Sequence, residues 1–136
     1  MQNAGSIQLT FFDIFSDKTK QFGFKAVFPS GKVLACLGDE PFNEKCRNFV
    51  QNCDYLMCEA FCLYSQKDIF KPYEKFHSTA LDAGKLAESL FAKNLILYHT
   101  EDETLQTRKR TYTSEARTVF NGNIFVPDDF EVINLK

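Results

Sequence analysis

Three polar residues follow directly on apolar runs: Asp39 after Val33 to Leu37, Glu59 after Tyr55 to Cys58, and His99 after Leu95 to Tyr98. Short apolar runs of this kind read as buried strands, and α/β sheets bind ligands in the crevice outside the carboxyl ends of their strands. The three residues are therefore candidates for one site. The only other histidine, His77, lies just ahead of a capped helical segment. Together the four offer two imidazoles and two carboxylates, enough for metal ligation and for an acid/base pair. Each also has an ordinary structural role. Asp39 sits in a Gly-Asp-Glu-Pro turn that suits an Asx bond, Glu59 taken alone reads as a loop carboxylate, and either histidine could cap or end an element. It is their joint placement that favours a site.

The elements that must position them form a mixed pattern. Ile7, Leu9 and Phe11 alternate as a half-buried strand would, and residues 24–37 read as a β-hairpin around Pro29-Ser30-Gly31. A weak helical pattern over 42–51 precedes the strand 55–58. Ala83, Leu86, Ala87, Leu90 and Phe91 fall on one face of a helix from about Ala80 to Phe91, opened by the capping pair Thr79 and Asp82. After the strand 95–98, a second helix is expected over 113–120 with Thr113 or Ser114 near its cap. Short strands at 124–126 and 130–135 close the chain. Strands alternating with helices, together with hairpins, predict a layered α/β fold whose sheet is mixed rather than wholly parallel.

The 136 residues include 44% hydrophobic and 25% charged positions, a composition that fits a soluble domain able to bury a core. No apolar run reaches membrane-spanning length and the start lacks the order of a signal peptide, so a cytoplasmic location is expected and no membrane partner. Met1 to Ser6 reads as a frayed end or an expression remnant, with 7–136 as the folded unit. The net charge of −2 gives no general reason to expect nucleic-acid binding, and Arg108, Lys109 and Arg110 read as a solvated face that could hold an anion. The five cysteines (Cys36, Cys46, Cys53, Cys58, Cys62) are expected to be reduced and mostly buried. Two of them in Cys58-x-x-x-Cys62 are too few for a structural zinc site.

Four motifs in order, Gly38-Asp39, Cys58-Glu59-Ala60, His77-Ser78-Thr79 and Tyr98-His99-Thr100, resemble the C-terminal motifs of the metallo-β-lactamase superfamily, in particular its ribonuclease Z-like phosphodiesterase branch. The likeness covers most of 24–135 and extends to Glu115-Ala116-Arg117 and to Val126-Pro127-Asp128-Asp129. It implies about one half of a four-layer αββα sandwich, with flanking helices on a mixed sheet. It also implies roles. Asp39 would bridge two metals and His99 would bind one of them, the metals being zinc, manganese or iron; Glu59 would orient His77, which would protonate the leaving oxygen. The backbone N–H groups of Ser78 and Thr79 would meet a phosphate oxygen of an anionic ester substrate. The carboxylate is expected to raise the His77 pKa and the adjacent helix terminus to lower it.

The sequence also departs from that family. The His-x-His-x-Asp-His signature lies upstream of the Gly-Asp motif in the family, and no histidine precedes His77 here. Two ligands do not make a catalytic zinc site, so the isolated chain is expected to be inactive and to bind metal weakly or not at all. A half-sandwich would expose an apolar sheet face that wants a partner, either the remaining half or a second copy, with Phe11, Phe12, Phe15, Phe22 and Phe24 as candidate contacts, although core packing is the expected fate of most of them. The alternative to an enzyme is a non-catalytic interaction module that binds a partner through the same face.

Overall fold

The computed structural model describes residues 5–135. Of the segment expected to fray, Met1 to Ala4 lie outside the described residues, while Gly5 and Ser6 are exposed and outside any strand or helix. The chain runs β1 (Gln8–Asp13), β2 (Phe22–Val27), β3 (Val33–Cys36), α1 (Arg47–Val50), β4 (Tyr55–Glu59), α2 (Lys67–Phe70), α3 (Ala80–Ser89), β5 (Asn94–Tyr98), α4 (Arg108–Arg117) and β6 (Asn123–Phe125). The strands form one sheet in sequence order. β1 to β3 pair antiparallel, and β3 to β6 pair parallel. The mixed α/β expectation holds. The β2–β3 turn closes where Gly31, at φ 86°, donates its N–H to the Phe28 carbonyl at 2.8 Å.

The register separates two faces. Phe12, Ala35, Leu56, Cys58, Leu95 and Leu97 point to one side and join Val50 of α1, Ala83 and Ala87 of α3, and Tyr112 and Ala116 of α4 in one buried core. The helices therefore cover this face. On the other face lie Leu9, Phe11, Phe22, Phe24, Leu34, Met57 and Phe125, with Leu9, Phe11 and Phe22 between 56% and 65% exposed. At the β1–β2 end of this face such a row of large apolar side chains is far more than a scatter of single exposed residues, while Ala26, Tyr55 and Ile96 on the same face are buried. The exposed apolar face is thus present, and Phe11, Phe22 and Phe24 lie on it. Phe12 does not. It is buried on the helical side, stacked on Phe49 with ring centroids 4.9 Å apart.

The expected helix at 113–120 is in fact α4 at 108–117, so Thr113 and Ser114 lie in its interior and the residue at its start is Thr107. The buried pair Tyr112 and Ala116, four residues apart, sets its inner face. Its first turn is the basic triplet. Arg108 donates to Thr100 Oγ1 at 2.8 Å and to Asp128 Oδ1 at 3.0 Å, and Lys109 pairs with Asp128 and Glu131. The patch read as solvated is therefore largely engaged in tying down the chain terminus. No strand forms over 130–135, where Phe130 and Val132 are exposed. The helix α3 keeps its predicted cap, but its apolar face ends at Leu90, and Phe91 turns outward in a left-handed conformation. Among the described residues no helix is long and apolar enough to cross a membrane. All five cysteines are free, four of them buried and Cys36 half-buried.

Candidate active site at the carboxyl ends of β3, β4 and β5

Glu59 is the last residue of β4, paired with Tyr98 at the end of β5, and Gly38-Asp39 follows β3 on the neighbouring side. The carboxyl ends of three adjacent parallel strands thus deliver Asp39, Glu59 and His99 to one rim of the sheet. Tyr98 fixes this arrangement. Its hydroxyl donates to the Gly38 carbonyl, across the end of β4, and lies 3.5 Å from Cys36 Sγ. Gly38 itself has φ 81°, a region that favours glycine. His99 holds φ 57° without being glycine, a conformation that costs free energy and clusters at functional sites.

The segment 77–79 reaches the rim by pairing with the stretch that follows β4. Phe61 donates its N–H to the Ser78 carbonyl at 2.9 Å and Ala80 to the Cys62 carbonyl at 3.0 Å, with Cys62 and Thr79 in a parallel bridge. Ser78 donates its N–H to Glu59 Oε1 at 2.7 Å and its hydroxyl to the same oxygen at 2.8 Å. Thr79 donates its N–H to Asp82 Oδ2 at 2.9 Å, and Asp82 returns its N–H to Thr79 Oγ1, the reciprocal capping box of α3. The two backbone N–H groups expected to meet a phosphate are therefore held by carboxylates in this state. An incoming phosphate has to take the place of Glu59 or Asp82 at those donors.

One ligand atom each from Glu59, His77 and His99 lies within 4.8 Å of the others. The His77 ring is stacked on Phe61 at 5.0 Å and tilted against His99 at 4.9 Å. Its Nδ1 lies 3.5 Å from Glu59 Oε2, and both atoms are buried without a hydrogen bond. The proximity is not a formed ion pair. Burial is the largest influence on both groups: it pushes the Glu59 carboxyl up to about 7, against the Ser78 donors, and pushes His77 down, helped by His99 and Lys18. Asp39 stands outside the cluster of three, but its backbone is hydrogen-bonded to His77 and its charge acts on both His77 and Glu59. The carboxylate that raises the His77 pKa is thus Asp39, and burial outweighs it.

All four candidate residues therefore converge on one rim. Two contributors were not foreseen: Tyr98, which ties the Gly38-Asp39 turn, and Phe61, which packs on the His77 ring. Their signal lay in their neighbours, since each is within two residues of a candidate already on a strand end. Cys58 and Cys62 join no metal-binding cluster among the described residues, and their thiols are pushed up by burial, Cys62 to about 12.

No family model matches the sequence. Ribonuclease Z of Bacillus cereus is 32% identical over 98 residues, which cover 72% of this chain and 31% of that enzyme. Human tRNase Z, short form, superposes with a TM-score of 0.68 at 25% identity over 94% of this chain and 42% of that structure. The metallo-β-lactamase fold protein YhfI of Bacillus subtilis superposes with a TM-score of 0.73 at 21% identity, over 91% of this chain and 48% of that structure. The chain is ribonuclease Z-like and carries part of the metallo-β-lactamase fold. This ribonuclease Z-like chain spans less than half the length of each of these relatives, about a third in the case of the Bacillus cereus enzyme. The relatives it matches over part of their length include proteins named ribonuclease Z and tRNase Z.

Proposed function

We propose that this chain supplies one half of a metal-dependent phosphodiesterase centre acting on RNA or a related anionic ester. The carrying observation is the convergence of Glu59, His77 and His99 within 4.8 Å at the carboxyl ends of the parallel strands, with two buried polar atoms facing each other unbonded. Buried polar atoms without partners cost free energy, and a site that keeps them holds them for a ligand or a proton. Imidazole and carboxylate donors suit zinc, manganese or iron(II); His99 belongs to the cluster that could hold a metal, and Asp39, the second ligand in this reading, stands outside that cluster with its backbone bonded to His77. When bound, such metals supply Lewis-acid activation of water and neutralise charge at phosphorus. Two ligands fall short of the three that a catalytic zinc takes from protein, so the remaining ligands come from a further segment that packs on the exposed sheet face.

In this reading His77, packed on Phe61 with Glu59 beside it, gives a proton to the leaving oxygen. Burial lowers its proton affinity, which eases donation, and Glu59 with its raised pKa can resupply the proton. Ser78 and Thr79 turn their donors to the phosphate once it enters. The buried reduced thiols are in keeping with a reducing compartment such as the cytoplasm.

The test is reconstitution. The chain is mixed with a separately produced segment bearing the histidine signature, zinc or manganese is added, and hydrolysis of a model phosphodiester and of an unstructured RNA is followed. Activity that needs both parts and is lost in His77→Ala and Asp39→Ala is expected. Absence of both activity and association sinks the proposal. Association with no hydrolysis favours the second reading, a non-catalytic interaction module, for which the exposed row Leu9, Phe11 and Phe22 speaks.

A further inference from the structure

Behind His77, on the side of α3, a cavity of about 200 Å³ opens between the loop after β3 and the first turns of the helix. Pro41, Phe42 and Leu86 supply apolar walls, and His77 is shared between this cavity and the site at the strand ends. Its polar edge is Asp82 with Tyr73, whose hydroxyl donates to Asp82 Oδ2 at 2.8 Å. The bonds described at that carboxylate, from Tyr73 and from the Thr79 N–H and hydroxyl, all fall on Oδ2. Oδ1 is left as an acceptor. A carboxylate at the mouth repels phosphate, while apolar walls with two aromatic rings and one acceptor suit a flat neutral ring that bears N–H groups.

We propose that this cavity is a nucleobase subsite, which takes the base of the nucleoside whose oxygen departs at His77. The proposal rests on the reading of His77 as the group that meets the leaving oxygen, and it adds a binding element that the metal ligands and acid pair do not provide. Phe42 and Tyr73 are its specificity-determining residues. A base seated against them anchors the leaving nucleoside, so that its oxygen is presented to the imidazole; binding energy from this remote contact is realised as positioning.

The pocket is tested on the full chain without metal. Cytidine and adenosine, which carry no phosphate, are titrated while backbone amide signals are followed by NMR. Shifts centred on Phe42, Ala83 and Leu86 are expected, with a dissociation constant on the order of 1 mM. Phe42→Ala and Tyr73→Ala each weaken binding about tenfold, as loss of a stacking platform does. Tyr73 is half exposed, so its substitution leaves the fold intact even if Phe42→Ala loosens it. Inorganic phosphate leaves these amides unmoved. The subsite is overturned if the nucleosides fail to shift these amides, if both substitutions leave binding unchanged, or if phosphate competes for the cavity. Hydrolysis by the reconstituted enzyme without nucleoside binding overturns the subsite and spares the catalytic reading. Nucleoside binding without hydrolysis supports the subsite and counts against the catalytic reading.

Discussion

Gly84 lies in the middle of α3, where replacing glycine by alanine ordinarily stabilises a helix by about 1 kcal/mol. Here the opposite sign is expected. A Cβ at Gly84 would sit 2.8 Å from Val119 Cγ2, 2.9 Å from the Ala116 carbonyl oxygen and 3.1 Å from Ala116 Cα. Two of these three are backbone atoms of α4, which cannot rotate away, so the helices must separate. Overpacking of this kind costs about 1–3 kcal/mol, and a backbone obstacle puts it near the upper end. Set against the gain in propensity, Gly84→Ala should lose about 1–2 kcal/mol, a drop in Tm of roughly 3–8 °C for a chain of this size. Urea and thermal unfolding measure it, with the exposed neighbour Lys85→Ala as a control expected to stay within about 0.5 kcal/mol of the parent. A Gly84→Ala chain more stable than the parent would refute the close approach of α3 and α4. Since α3 carries the Thr79 cap and the His77-Ser78 lead, the same substitution should broaden the His77 and Ser78 signals.

Asp54 accepts from the Val33 N–H at 2.8 Å and from Lys93 Nζ at 3.0 Å, so Asp54→Ala should cost about 2–3 kcal/mol and Asp54→Asn less, by denaturant unfolding. Burial alone would raise the Asp54 pKa, but those donors and Lys32 outweigh it and hold it below its ordinary value. Its contribution is therefore present above about pH 3.9 and lost as the pH falls through the lowered value; an acid unfolding midpoint identical in Asp54→Asn would contradict this. Under native conditions a thiol reagent should modify Cys36 first and leave Cys46, Cys53, Cys58 and Cys62, whose buried thiols are all pushed up, until the chain unfolds. Phe11→Ser with Phe22→Ser should reduce dye binding and self-association while changing stability little, because both rings are exposed; unchanged association by sedimentation would clear that face. Glu59→Gln should keep the Ser78 bonds through its amide oxygen, whereas Glu59→Ala strands two Ser78 donors and should cost about 2 kcal/mol more on unfolding.

The parts of this fold that could be read in advance are those where one period or one cap decides. The apolar runs before Asp39, Glu59 and His99 placed three strand ends, and Thr79 with Asp82 placed the start of α3, because both are local signals. α4 was misplaced because its charged first turn, Arg108 to Arg110, has no apolar period; what holds that turn is pairing with Asp128 and Glu131, twenty residues away. A strand over 130–135 failed for the complementary reason. Its apolar residues have the right composition, but Phe130 takes a left-handed conformation with φ 65°, and Phe130 and Val132 stay in solvent. The site residues were legible as members of one rim. Their electrostatics were not, since the dominance of burial over carboxylates at His77 depends on Phe61 and His99 stacking around it.

Two features of the molecule are unfinished in the same sense. The face bearing Leu9, Phe11 and Phe22 is apolar but uncovered, and Glu59 Oε2 and His77 Nδ1 are buried but unbonded. Covering the first removes apolar area from water, which contributes roughly 25 cal/mol per Å², while the second raises the free energy of the uncombined state until a ligand or proton arrives. The strand ends that present the site border the sheet that presents the face, because Met57 and Glu59 point to the same side of β4. A body that packs on the face therefore arrives next to the rim. A second copy would bring the same Asp39 and His99 again, whereas a segment rich in histidine would bring the donors that the rim is short of. If the proposed metal centre is completed by such a segment, association through the sheet and completion of that centre are one event, so metal affinity should rise with the concentration of the packing partner, and disruption of Phe11 and Phe22 should weaken metal binding without touching a ligand.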